Sequence, residues 1–274
     1  MIDPKHKHSH FFIAIFTIFW IGFAVFYAIE QHGKKSSDMP SIMKRGVLRV
    51  CGEEDLFSFY EDGKIYQGFH YELAKAFADR HGLKLEYTGR SDFRDRLKML
   101  ESGRCDILAG PLPVVADYRE VFAYTEPLYE SNLVLVQRNK ENNDGKRPIR
   151  DQILLADKRI AVTEHSPDII RIHNLAQEIS DSIHIRQYLG FDNESLIEGV
   201  SSGILDYMAC DKYVARAYAK KYPRIDVKTT LGLTQYQAWA VGLGRKGTLD
   251  SLNAFIAEYK KSPAYARLLK KYME

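Results

Sequence analysis

A short phrase is written twice in this chain, as ESGRCDILAG at residues 101–110 and as SSGILDYMAC at residues 201–210. Each copy turns on Ser-Gly, passes two variable residues to an Asp, and runs into an apolar stretch. Upstream of the first copy, GVLRVCGEE offers an apolar strand from Val47 to Cys51. GFHYELAKAFADRHG then sets Leu73, Ala74, Phe77 and Ala78 on one helical face, with Gly82 as the stop. LKLEY alternates as a strand does. SDFRDRLKMLESG reads as a helix with Ser91 at its N-cap, and DILAG is the next strand. The order is β-α-β-α-β, the rhythm of a parallel sheet.

The second copy follows the same plan. KRIAVTEHS is a strand and loop, SPDIIRIHNLAQEI a helix with Ser166 as its cap and Pro167 in first place, and SIHIRQY a strand. NESLIEGVSSG is a helix and LDYMAC a strand. In both copies Gly ends the second helix. Asp106 and Asp206 open the strands that follow and are read as turn residues rather than as functional ones.

Two further apolar strands, Leu133–Val136 and 236–244, can carry the chain between two lobes. The segment after them reads as two amphipathic helices that pack back on the first lobe. The expected fold class is therefore α/β: two βαβ lobes joined by a two-stranded hinge, with lobe 1 at 47–136 and 232–274 and lobe 2 at 137–231. A ligand belongs in the cleft between them, outside the carboxyl ends of the parallel strands. Trp239 is read as a hinge or core aromatic rather than a stacking platform.

The ends and the bulk composition narrow the class. The chain has 274 residues, 45% hydrophobic and 27% charged, which suits two modest domains with real cores. A net charge of +3, scattered along the chain, gives no nucleic-acid footprint. Residues 11–29 carry no charge and would span roughly 28 Å as a helix, about one hydrocarbon thickness. The expectation is an uncleaved transmembrane anchor preceded by a short cytoplasmic tail at 1–10. The alternative is a signal peptide cut near Ala28. Lys5 and Lys7 on one side nearly balance Lys34 and Lys35 on the other, so orientation rests on the short tail, which puts the large domain outside. Residues 30–46 read as a flexible tether, and KHKHSH as a polar flank rather than a metal site. Of Cys51, Cys105 and Cys210, at least one must be free, and the spacing fits no zinc pattern. A Cys51–Cys105 bridge is not the favoured reading, because one residue ends a strand and the other begins one.

In order and spacing, LRV, GFHYELAKAF, GLKLEY, SGRCDILAG, YTEPLY, LVLVQ, RIAV, SGILDYMACD and YARLLKKY resemble the extracellular solute-binding proteins of family 3, the type II periplasmic amino-acid-binding proteins. The likeness covers 47–274. It is especially similar to the non-catalytic N-terminal half of the F-type membrane-bound murein transglycosylases. With the chain ending at Glu274, the resemblance implies no lytic activity.

The resemblance also implies a ligand set. Arg119, ahead of YTEPLY, stands where the family clamps an α-carboxylate with a guanidinium fork. Asp211 stands where an acid takes the ammonium, and can cap the helix that follows. Ser166 and His165 lie in the loop after the first strand of the second lobe, where backbone and hydroxyl groups meet an anion. Glu53 and Phe57 are nearest to the acid and aromatic that touch a ligand side chain. Ala116, Pro113 and Glu164 depart from the pattern, and these departures bear on which ligand binds rather than on the fold.

G-x-S-x-G, H-E-x-x-H and phosphate-loop motifs are all missing. The chain is expected to be no enzyme and to need no cofactor or metal. The implied role is a membrane-tethered solute-binding protein facing the periplasm or exterior. It would close on an amino acid or small peptide, with an ABC permease or a cell-wall enzyme as partner. The alternative is a regulatory or scaffolding module acting on a membrane or cell-wall partner.

Overall fold

The chain enters its fold through α1 (Met39–Arg45), which buries Ile42 and ends at Gly46 in the left-handed region, φ 70°. Residues 39–45 were expected within the tether, but Pro40 in the first turn and the burial of Ile42 make them part of the fold. The Asp38 carboxylate, just ahead of α1, accepts the Thr248 N–H at 2.9 Å. The computed structural model describes residues 16–24 and 37–274. Of the expected anchor, residues 16–24 are helical and exposed. No helix among the described residues is long and apolar enough to cross a membrane. The tail and the rest of the apolar run lie outside the described residues.

The first copy of the plan builds one sheet. β1 (Val47–Gly52) is followed by a small hairpin, β2 (Tyr60–Asp62) and β3 (Ile65–Gln67), then α2 (Phe69–Arg80), β4 (Lys84–Gly89), α3 (Phe93–Glu101) and β5 (Ile107–Pro113). β1 pairs in parallel with β4 and β5. β6 (Phe122–Tyr124), β7 (Tyr129–Ser131) and β13 (Gln235–Gly242) complete it, in the order β4-β1-β5-β13-β6, with β7 against β13.

The second copy gives β9 (Arg159–Thr163), α4 (Asp168–Glu178), β10 (His184–Tyr188), α5 (Asn193–Ser202) and β11 (Tyr207–Asp211). α6 (Lys212–Ala219) and β12 (Ile225–Thr230) follow, and with β8 (Leu133–Arg138) the sheet order is β10-β9-β11-β8-β12. All of β8 pairs inside this sheet, so the expected boundary after 136 falls within a strand. The chain passes between the sheets twice, around Asn132 and between Leu231 and Thr234, where Asn132 Nδ2 donates to Thr234 Oγ1 at 3.1 Å. α7 (Lys246–Tyr259) and α8 (Pro263–Met273) pack back on the first lobe.

The twice-written phrase has a conformational reason. Gly103 and Gly203 follow α3 and α5 with φ of 70° and 88°, a region where a Cβ is penalised. The two Asp residues differ. Asp106 is fully buried and binds Arg45 Nη2 at 2.6 Å, Arg49 Nη2 at 2.8 Å and the Arg49 N–H at 2.8 Å. Asp206 is exposed and pairs with Arg138.

Cys51 and Cys105 form a disulfide, with Cα atoms 5.9 Å apart. The sequence predicts that Cys105 begins a strand. Its N–H instead donates to Met99 O, so Cys105 lies in the turn that closes α3, packed with Cys51 in one buried cluster. Cys210 is free and buried. Trp239 is fully buried in the core, and its indole Nε1 donates to His70 Nδ1 at 2.8 Å.

Candidate functional site

Parallel strands end their backbone ladders on one edge, so the loops leaving β1, β5, β9 and β11 converge between the lobes. A cavity of about 20 Å³ lies there, room for about one water molecule. Lobe 1 lines it with Glu53, Arg96, Gly110 and Leu112, and lobe 2 with Thr163, Ser166, Asp168, Asn193 and Asp211.

Glu53 joins the two halves. Its Oε1 accepts from Asn193 Nδ2 at 2.8 Å, and its Oε2 lies 3.3 Å from Arg96 Nη2. Asn193 is the first residue of α5, so this single hydrogen bond ties the start of a lobe 2 helix to the loop after β1. The Arg96 side chain is only 5% exposed, and among the described residues its Nε has no hydrogen-bond partner. Gly110 leaves space for it, since a Cβ there would stand 3.3 Å from Arg96 Nη1.

Two carboxyls of lobe 2 line the same cavity as this guanidinium. Asp211 is 7% exposed and caps α6, accepting the Tyr213 N–H at 2.7 Å. Burial pushes its carboxyl up to about 6, against the hydrogen bonds that favour the ion. Asp168 begins α4, where Ser166 Oγ donates to its carboxyl at 3.1 Å and accepts its N–H at 3.2 Å. Burial first, then the charges of Asp211 and Glu53, raise Asp168 to about 7. Three acids and one base therefore share the cavity wall. As long as the cleft stays shut, Asp168 and Asp211 resist ionising together.

Of the residues singled out in the sequence, Glu53, Ser166 and Asp211 line the cavity. Phe57 does not. It is fully buried, stacked on Phe69 and on Tyr213 of the other lobe with ring centres 5.4 and 5.5 Å away. Arg119 is exposed, at the end of the short 3-10 turn Ala116–Tyr118. The residue that turns inward there is Tyr118, against Phe93 and Phe122, so the one-residue offset sends the guanidinium outward. His165 sits at the rim, outside the cavity lining, with φ +57° and its N–H donated to Gln187 Oε1.

Sequence reasoning passed over Arg96, Asp168 and Asn193. Arg96 did leave a signal: it falls three residues after Phe93 and four before Leu100, on the buried stripe of α3. A charge on such a stripe needs a partner. Asp168 and Asn193 look like ordinary helix starts and leave none. The expected cap of α3, Ser91, is replaced by Asp92, whose carboxylate accepts the Arg94 N–H at 2.7 Å.

Comparison with known proteins agrees with the fold. The bacterial extracellular solute-binding proteins, family 3, match over residues 48–274. A membrane-bound lytic murein transglycosylase F of Idiomarina loihiensis is 30% identical over 252 residues, covering 90% of this chain and 52% of the relative. Its counterpart in Cronobacter sakazakii is 25% identical, covering 98% and 51%. The chain thus spans about half the length of these relatives. Among solved structures, an ancestral amino acid-binding protein, a precursor of cyclohexadienyl dehydratase, has a TM-score of 0.73 at 25% identity, covering 86% of this chain and 99% of that one. An ancestral arginine-binding protein bound to glutamine has a TM-score of 0.70 at 26% identity, covering 83% and 98%.

Proposed function

Because the chain belongs to the bacterial extracellular solute-binding proteins, family 3, we propose that its interlobe cleft captures a small, positively charged or zwitterionic ligand of the amino-acid class. The observation that carries this reading is the cavity wall itself: one buried guanidinium, Arg96, lines it together with the carboxyls of Asp168 and Asp211. Arg96 takes the ligand carboxylate and the two aspartates take its ammonium. The excess of acid favours a ligand with a second positive charge. The amino-acid-binding relatives of known structure support the same class.

Entry requires opening, because the shut cleft holds no more than water. The paired crossings at Asn132 and Thr234 are the hinge, and the Glu53–Asn193 bond is the contact that must break. On closure the ligand replaces Glu53 as the partner of Arg96 and draws Asp168 and Asp211 into their ionised forms. Residues 11–29 are read as an anchor that holds 37–274 outside the cytoplasmic membrane, beside a permease or a cell-wall enzyme. The domain binds and does not catalyse.

A second reading has its own support. The cleft is already closed on its own side chains, and the curated relatives are transglycosylases of about twice the length. In that reading the domain is a regulatory module for a cell-wall partner. One experiment separates the two: a thermal-shift screen of the chain against amino acids, short peptides and muropeptides, with hits repeated in Arg96→Ala and Asp211→Asn. A ligand that binds only the folded state raises Tm. Shifts lost in both variants support capture in this cleft. No shift from a folded sample overturns capture and favours the module.

A further inference from the structure

At the rim, separate from the cavity lining, three ligating side chains meet across the lobes: Asp92 from lobe 1, and Glu164 and His165 from lobe 2. One donor atom from each lies within 4.8 Å of the others. His165 Nδ1 is 3.4 Å from Asp92 Oδ1, while the Glu164 carboxylate lies nearer the other ring nitrogen, its Oε1 3.7 Å from Nε2, so an ion held on Nδ1 requires Glu164 to turn toward it. These are not hydrogen bonds. Nδ1 of His165 and Oε2 of Glu164 are both shielded from solvent, and among the described residues neither has a hydrogen-bond partner. Buried lone pairs without a donor are costly unless a cation answers them.

The spacing suits a metal ion. Ligand atoms about 2.1 Å from a tetrahedral zinc stand about 3.4 Å apart, the separation of His165 Nδ1 from Asp92 Oδ1. Two of the three residues are also anchored before any ion arrives. The Asp92 carboxylate is fixed by capping α3, and the His165 backbone by Gln187 Oε1. One imidazole with two carboxylates matches zinc and similar divalent transition ions better than magnesium or calcium, which favour all-oxygen sets.

We infer that Asp92, Glu164 and His165 form a divalent transition-metal site that fastens the mouth of the cleft, with the fourth position left to water or to the captured ligand. Because the ligands come from both lobes, the ion binds the closed form more tightly than the open one. Metal and closure therefore reinforce each other reciprocally. The inference does not depend on which solute the cleft takes.

The test is zinc titration calorimetry on the full chain in mild detergent, with His6, His8 and His10 replaced by Ala to remove the N-terminal histidines as competitors. One equivalent of saturable binding is expected. It should be weakened at least tenfold in His165→Ala and also in Asp92→Asn, with the metal-free melting of each variant matching the parent. Glu164→Gln provides the same test if either variant fails to fold. Absence of saturable binding, or binding indifferent to His165→Ala, overturns the site. Binding that needs His165 but ignores Asp92→Asn overturns the bridge between lobes. A metal-free rise in Tm on acidification that requires His165, without zinc binding, assigns the cluster to a proton and also overturns the inference.

Discussion

Asp211→Asn is the most informative single substitution. Asparagine keeps a side-chain oxygen for the Tyr213 N–H, so the cap on α6 survives while the charge is removed. Asp211 titrates near 6 in the fold because it is buried, against an ordinary 3.8. A folded state that holds its proton more tightly than the unfolded chain is favoured by acid. This contribution is fully present below pH 3.8 and lost as pH rises through about 6. The difference between 3.8 and about 6, at about 1.36 kcal/mol per pH unit, is about 3 kcal/mol. Asparagine imitates the protonated acid and escapes that loss. Its stability relative to the parent should therefore improve by about 3 kcal/mol between pH 3.5 and pH 8. At a urea m-value of about 3 kcal/mol/M, the midpoint moves by about 1 M. The assay is urea unfolding of parent and variant at several pH values. A difference in midpoint that stays constant with pH refutes the argument, since it means that Asp211 ionises normally in the fold.

Three other outcomes are expected. Trp239→Phe leaves His70 Nδ1 without its donor in a fully buried site and should lower stability by about 1–3 kcal/mol in thermal melts. Asn193→Ala cuts the bond from lobe 2 to Glu53 and should shift the population toward open cleft, read as a larger radius of gyration in X-ray scattering; an unchanged radius would show that the other interlobe contacts hold the lobes closed on their own. Cys51→Ser frees a loop with a sequence separation of 54 and should cost roughly 2–4 kcal/mol, checked by comparing its melt with that of the oxidised parent.

His70 shows how burial sets a charge state in the core. Its pKa falls to about 3, first through burial and then through the positive charge of Arg96. The ring is therefore neutral. With Nδ1 accepting from Trp239, Nε2 carries the hydrogen and faces the Tyr129 hydroxyl at 3.1 Å.

The parts of the molecule legible in the sequence are those set by local rules. Buried parallel strands read as apolar runs, the helices show their stripe, and Gly103 and Gly203 mark the ends where a left-handed residue is required. Features set by the other lobe were not legible. Leu133–Val136 is apolar whichever sheet receives it, so its membership in the second sheet could not be read from the run alone. Cys105 could be paired with Cys51 only once it was seen to lie in the turn that closes α3. At the site, Glu53, Ser166 and Asp211 follow strands that anyone can locate. Arg119 and Phe57 were carried over from a family pattern that this chain keeps only approximately; neither lines the cavity, where the guanidinium is that of Arg96 on α3.

The position of β13 also bears on how the protein is made. It is an interior strand of the first sheet, between β5 and β6, yet more than a hundred residues separate it from its neighbour β5. The second sheet is assembled from one uninterrupted stretch, β8 to β12. During vectorial synthesis or export, the second lobe therefore has all its strands in hand while the first still lacks an interior strand. The first lobe can complete its sheet only after the second has emerged. Truncation before Gln235 should spare the later-encoded lobe and disable the earlier one.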